Sequence, residues 1–493
     1  MRQSLTKVAL ATTKLALTAG LGILVAAPVA QATPILLAVG VLPGTADLSG
    51  LTGTLENGLP ANILGGLGSG LAYAGGNSFM ALPDRGPNAT PYNSAVDNTV
   101  SYIARFHTVT MSLTPGSSSG LPFSLTPTLQ STTLLSSPTP LVYGTGAGMG
   151  NTSGGTPIGS GAPAQNTAGT SYFTGRSDNF NPAQTSGNPN NARLDPEGIR
   201  VSNDGKSIFV SDEYGPYVYQ FDRATGARIK SFTLPTNLNV SALSPNSATE
   251  ISGNTTGRVA NKGMEGLAIT PDGKTLVGMM QASLIQDASG AFANNKLLRI
   301  VTIDIATGLT HEYGYLLHAG TGVSEIVAIN SHQFLIDERD GKGLGDGTSA
   351  KSKLLYTVDL TGAQDITGLT GNAAAAQAVP ATKVANLVDI LTDPGLGANA
   401  LTAAQVPSKI EGLAFGADVT YGGTGYHTLY VANDNDFVPA TSGPSLFYVF
   451  GVTDADLFGN LVPQDISAVP EPAAFGLLGV GLLGLVMVRR RTA

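Results

Sequence analysis

Lys262–Gln281 reads KGMEGLAITPDGKTLVGMMQ. Two apolar runs, Leu267–Ile269 and Leu276–Met280, flank Pro271-Asp272-Gly273-Lys274. Gly after Asp supplies the positive φ of a tight hairpin turn, so the stretch reads as strand, turn, strand. Its carboxylate, Glu265, stands just before Gly266 at the mouth of the first strand, where a buried strand has no need of an acid. Asp195–Asp212, DPEGIRVSNDGKSIFVSD, repeats the unit with Glu197 before Gly198, and Ile410–Gly416, IEGLAFG, repeats its head with Glu411 before Gly412. Gly70-Leu71 leads to Asp84 in the same manner, and Glu325 precedes an apolar run that leads to Asp337-Glu338.

Successive glutamates, 197, 265, 325 and 411, lie 68, 60 and 86 residues apart. Ser207–Val210, Tyr217–Phe221, Leu298–Ile305, Leu354–Val358, Thr428–Val431 and Leu446–Phe450 read as further strands, rich in β-branched and aromatic residues. Repeats of several strands at such a period are blades of a β-propeller, with insertions stretching the period. The expected fold is all-β, a propeller of about six blades over 33–460. One blade is expected between Arg105 and Arg193, although Gly144–Asn191, rich in Gly, Ser, Thr, Pro and Asn, reads as an elaborate loop. A β-sandwich is the competing architecture.

The chain has 493 residues with 63 Gly and 29 Pro, which suits short strands and tight turns better than a helical bundle. It has no Cys, which excludes disulfides, thiolate chemistry and Cys-based zinc sites. Residues 1–32 carry Arg2, Lys7 and Lys14, an apolar stretch and Ala30-Gln31-Ala32, and read as a secretory signal for signal peptidase. Residues 461–493 contain Val469-Pro470-Glu471-Pro472, an apolar run at 473–488 that can serve as a transmembrane segment, and Arg489–Arg491. The arginines would stay cytoplasmic, placing the body outside. This order and spacing resemble the PEP-CTERM sorting signal of Gram-negative bacteria. That resemblance implies removal of the tail by an exosortase-type enzyme at the inner membrane and delivery to the cell envelope or surface.

Removing 1–32 and 473–493 takes six of the 26 basic residues and none of the 34 acidic ones, leaving a body of charge −14. Such a surface repels nucleic acid and anionic membranes and favours cations. The five histidines share no motif, and Gly116–Gly120, GSSSG, lacks the following helix that a nucleophile elbow needs. Asp340–Gly347 has no hydroxyl after its Gly-Lys and is no phosphate-cradling loop.

GLGSGLAY and ALPDRGPN (Gly66–Asn88), LDPEGIRVSNDGKSIFVSDEYGPYVYQFD, NKGMEGLAITPDGKTLVGMMQ, LIDERD (Leu335–Asp340) and SKIEGLAFG resemble, in this order, the "esterase-like activity of phytase" family. The resemblance covers about Leu51–Phe450 and implies an exported or envelope-located propeller, with hydrolysis of phosphoesters or other esters as the associated activity. In a propeller the innermost strands line one channel. Glu197, Glu265, Glu325 and Glu411 are then expected to converge as an acidic ring, with Asp84, Asp212, Glu213, Glu338 and Asp434 at neighbouring strand ends. So many acids need cations or bases nearby. Oxygen-only ligands suit a hard cation such as Ca²⁺. Glu265 and Glu197, with Arg85 and Arg339 as basic groups, are the expected catalytic set for a small anionic ester. Two alternatives stay open: each glutamate caps backbone amides of the next blade, or the propeller is a non-catalytic extracellular binding or matrix platform.

Overall fold

The computed structural model describes residues 33–89, 99–152, 154–289 and 293–467. The expected signal segment 1–32 and the apolar run 473–488 lie outside the described residues. Among the described residues no helix is long and apolar enough to cross a membrane.

The described residues form a β-propeller of five blades, not about six, each of four antiparallel strands in its main path. Their innermost strands are Gly70–Tyr73, Pro196–Val201, Met264–Ile269, Gly322–Ala328 and Ile410–Phe415. Each packs against the next, and the fifth packs against the first, which closes the ring. The N-terminal strand Ile35–Val41 supplies the outer edge of the fifth blade by pairing with Leu446–Val452. The first and last strands of the described residues therefore meet in one sheet, which closes the fifth blade.

Among the described residues, the blade expected between Arg105 and Arg193 is not formed. Arg105–Pro115 and Phe123–Leu134 are the outer pair of the first blade. From Leu135 to Arg193 the chain makes an irregular excursion with one two-residue strand pair, Ser136–Ser137 with Ser171–Tyr172. The excursion is nonetheless packed. Phe173 is buried against Tyr219 and Phe221, with ring centroids 5.5 and 5.9 Å away.

The Glu-Gly pairs follow from the geometry at the axis. A Cβ on Gly198 would stand 2.7 Å from the Leu267 amide nitrogen, and one on Gly266 would stand 2.8 Å from that of Ile326. The same position in the fifth blade, Gly412, donates its N–H to the Gly68 carbonyl of the first blade at 2.6 Å. Glycine is needed because neighbouring inner strands touch backbone to backbone. The residue before each glycine falls at a break in strand register, at Pro196/Ile199, Met264/Gly266 and Ile410/Leu413. A bulge re-aims the side chain it carries, and here it turns the acid toward the axis.

Candidate functional site

The fourth blade breaks the pattern. Its register break leaves out Ser324, and Glu325 takes the position that is glycine elsewhere. Glu325 is consequently one residue deeper than the expected ring. Its Oε1 accepts from the amides of Leu267 (3.0 Å) and Ile326 (2.9 Å), and its Oε2 lies 3.1 Å from Arg200 Nη2. Arg200 donates in turn to the carbonyls of Leu71 (2.7 Å) and Ile326 (2.9 Å). This buried pair ties four blades together and plugs the channel. The sequence carries the signal for it: Glu325 is followed by Ile, where the other three glutamates are followed by Gly.

Two further expected site residues serve the backbone. Asp212 accepts from the amides of Asp195 (3.1 Å) and Tyr214 (3.0 Å) and holds the turn after its strand. Glu338 accepts from Tyr315 Oη (2.8 Å) and from the amides of His318, Ala319 and Gly320, fixing the link between the third and fourth blades. These amides hold Glu338 below the usual carboxylate range although burial opposes them.

Above the plug, at the strand starts, opens a polar pocket of about 240 Å³. It brings together Asp84, Glu197, Glu213, Glu265 and Glu411 with Arg85, Arg339, Lys262 and Lys409. Its acids divide into two halves. On one side Lys409 Nζ lies 2.7 Å from Asp434 and 2.6 Å from Asp436, and Arg339 pairs with Glu411. Asp84 stands beside Asp434 and Asp436, with one oxygen of each within 4.8 Å of the others. That cluster already has its cation, the Lys409 ammonium.

The other side is under-compensated. One oxygen each of Asp195, Glu197 and Glu213 lies within 4.8 Å of the other two, and all three residues are buried. Asp195 is paired with Arg85 at 2.7 Å, and Glu213 accepts from the Gly263 amide at 3.2 Å. Among the described residues neither Glu197 nor Glu213 has an ion-pair partner. Glu265 is 3% exposed, and its buried Oε2 has no hydrogen-bond partner. Burial, then the neighbouring Glu265 and Asp195, pushes Glu197 and Glu213 well above the usual carboxylate range. Glu265 is raised to about 7 by burial and by Glu411, with Arg339 opposing. Asp195 and Lys409 are members of this site that the repeat does not announce, since neither stands at the Glu-Gly position.

The model of the family described as esterase-like activity of phytase matches residues 62–437. The chain belongs to this family. The PEP-CTERM protein-sorting motif matches 468–491, which marks the protein for export and envelope sorting in Gram-negative bacteria and implies processing by an exosortase-type enzyme. An uncharacterized secreted protein of Arthroderma benhamiae is 38% identical over 136 residues, covering 24% of this chain and 26% of the relative. The chain thus matches about a quarter of that relative's length. Among solved structures, hydrazine synthase of Kuenenia stuttgartiensis is 10% identical, with a TM-score of 0.29 and 83% and 84% of the two chains covered. The Cps50 (Swd1) propeller domain of Myceliophteria thermophila is 11% identical, with a TM-score of 0.20 and 48% of each chain covered. Scores this low add nothing to the description of the fold.

Proposed function

We propose that this exported phytase-like propeller binds one divalent cation, best matched by Ca²⁺, at Asp195, Glu197 and Glu213, and hydrolyses a small anionic ester beside it. The observation that carries this reading is the buried, under-compensated carboxylate trio, in which only Asp195 has an ion-pair partner, next to the unpartnered Glu265 Oε2. The donor set fits a hard cation: it is all oxygen, anionic and already gathered. A bound cation would neutralise the trio and polarise an ester oxygen. Lys262, at the pocket mouth, and Arg339 are placed to hold the anionic part of the substrate. Glu265, with its affinity for protons near neutrality, is suited to take a proton from an attacking water. A pocket that holds the cation without turnover would instead be a binding platform, which the sorting motif suits equally.

The test uses residues 33–467, melted across calcium concentrations and assayed against phosphate and carboxylate esters. A ligand that binds only the folded state raises stability by RT ln(1 + [L]/Kd). Calcium should raise the Tm of the parent chain, and Glu197→Gln and Glu213→Gln should shrink that shift. Equal shifts in all three proteins, or none in any, reject the cation site. Binding without calcium-dependent hydrolysis favours the platform.

The metal-free protein should also show a pH signature. A carboxyl with a folded pKa of about 7 keeps its proton between its unfolded value of roughly 4.5 and 7, while the unfolded chain releases it. The folded state then binds more protons, so stability falls as pH rises through that window and is flat above it. Glu265→Gln should remove part of the fall, on the order of 2–3 kcal/mol. An unchanged slope in urea titrations from pH 5 to 8 would count against the buried, protonated Glu265.

A further inference from the structure

The face opposite the pocket is closed by the chain's own C-terminal segment. Below the Arg200–Glu325 plug a small cavity of about 80 Å³ is lined by Arg200, Val201 and Ile269 and roofed by Leu461–Gln464. The Val462 amide donates to the Ile329 carbonyl at 2.8 Å. Gln464 Nε2 donates to the Val201 carbonyl and to Asn203 Oδ1, each at 2.7 Å. The Ser467 amide donates to the Asn203 carbonyl at 2.8 Å. The segment thus crosses the channel mouth from the fourth blade to the second. It is held there immediately before the sorting motif at 468–491.

We propose that this lower face is the membrane-facing surface of the protein while the sorting segment is attached, so that the pocket opens away from the bilayer. The inference rests on anchoring by the apolar run 473–488, and not on the cation or hydrolysis reading. Only residues 468–472 separate Ser467 from that run. Fully extended, the link to Ala473 spans at most roughly 20 Å. It starts at Asn203, in the turn that ends the innermost strand of the second blade, close to the axis. To bring the upper face to the membrane, the link would have to pass two further strands at about 4.8 Å each and then the depth of the disc. That depth is set by inner strands of six or seven residues, about 20 Å. The path is longer than the link. The turns on the lower face carry both signs, Asp204 with Lys206 and Asp272 with Lys274, so the docked tail and not charge sets the orientation. A ligand then reaches the pocket from the aqueous side, and the fitting ligand class is water-soluble, not bilayer-embedded.

The absence of cysteine makes the test direct. Full-length chain carrying Lys274→Cys, on a lower turn and 78% exposed, or Lys342→Cys, exposed beside the pocket rim, is labelled with a fluorophore. Each is reconstituted into phosphatidylcholine–phosphatidylglycerol vesicles containing a nitroxide-labelled lipid. The expected result is flotation with the vesicles and several-fold stronger quenching at position 274 than at 342. Combining Val462→Pro with Gln464→Ala frees the tail, lengthens the link and should erase most of that contrast. Equal or reversed quenching in floated vesicles overturns the orientation alone. Full contrast in the freed variant shows that something other than the docked tail orients the body, and also overturns it. A chain that does not float overturns the anchoring premise and the orientation together.

Discussion

Glu325 shows how much one side chain's depth changes its role. The other three glutamates sit on bulges facing the upper pocket, whereas Glu325 occupies the glycine position and reaches across the axis to Arg200. Burial raises Glu325 to about 7 against the pull of Arg200 and two amides, so the pair is held by geometry as much as by charge. Removing one member of a buried pair strands the other, at a cost of about 3–5 kcal/mol. Glu325→Gln should lower the urea midpoint strongly while leaving any calcium-induced shift in Tm at its parental size. A variant with parental stability and weakened calcium response would return Glu325 to the ring of ligands.

At the scale of the element, the repeated unit is a strand that must let its neighbour touch it. Gly266 is the clearest case, since a Cβ there meets the Ile326 nitrogen at 2.8 Å and the Glu325 backbone at 3.0 Å. Those atoms are main chain and cannot swing aside. Gly266→Ala should therefore cost about 2 kcal/mol or more by forcing two inner strands apart. Chemical denaturation measures it, and a loss under about 0.5 kcal/mol would mean the ring is looser than its distances indicate. Gly308 offers the control: it has positive φ and open space, so its Ala variant reports turn strain alone.

For the whole molecule, closure depends on Ile35–Val41. This strand pairs along its length with Leu446–Gly451, so one sheet joins the two ends of the described chain. Leu37 and Ala38 are fully buried within it. A chain beginning at residue 33 should fold cooperatively. One beginning at residue 43 loses the edge of the fifth blade, exposes the apolar face beneath it and should lose its cooperative unfolding transition. Circular dichroism melts of the two truncations decide this, and equal melts would show that the strand is an ornament on an already closed ring.

Strand–turn–strand periodicity, the Glu-Gly heads and the turn chemistry of Asn203–Lys206 and Pro271–Lys274 determined the propeller by themselves, because they are local: alternation, φ preference and hairpin geometry act within a dozen residues. They also placed Glu197, Glu213, Glu265, Glu411, Asp84, Arg85 and Arg339 at one mouth, since each stands at a strand end on the same side of its blade. The number of blades was not local. Spacing counts residues, and the packed excursion from Leu135 to Arg193 adds length without adding a sheet. Nor was the division of the acids. Which carboxylates meet a cation depends on side chains from different blades, such as Asp84 of the first blade beside Lys409, Asp434 and Asp436 of the fifth, or Arg85 reaching Asp195 across 110 positions of sequence. Only closure of the ring brings those groups within a few ångströms. It is that closure which separates the compensated half of the pocket from the half left in need of a cation.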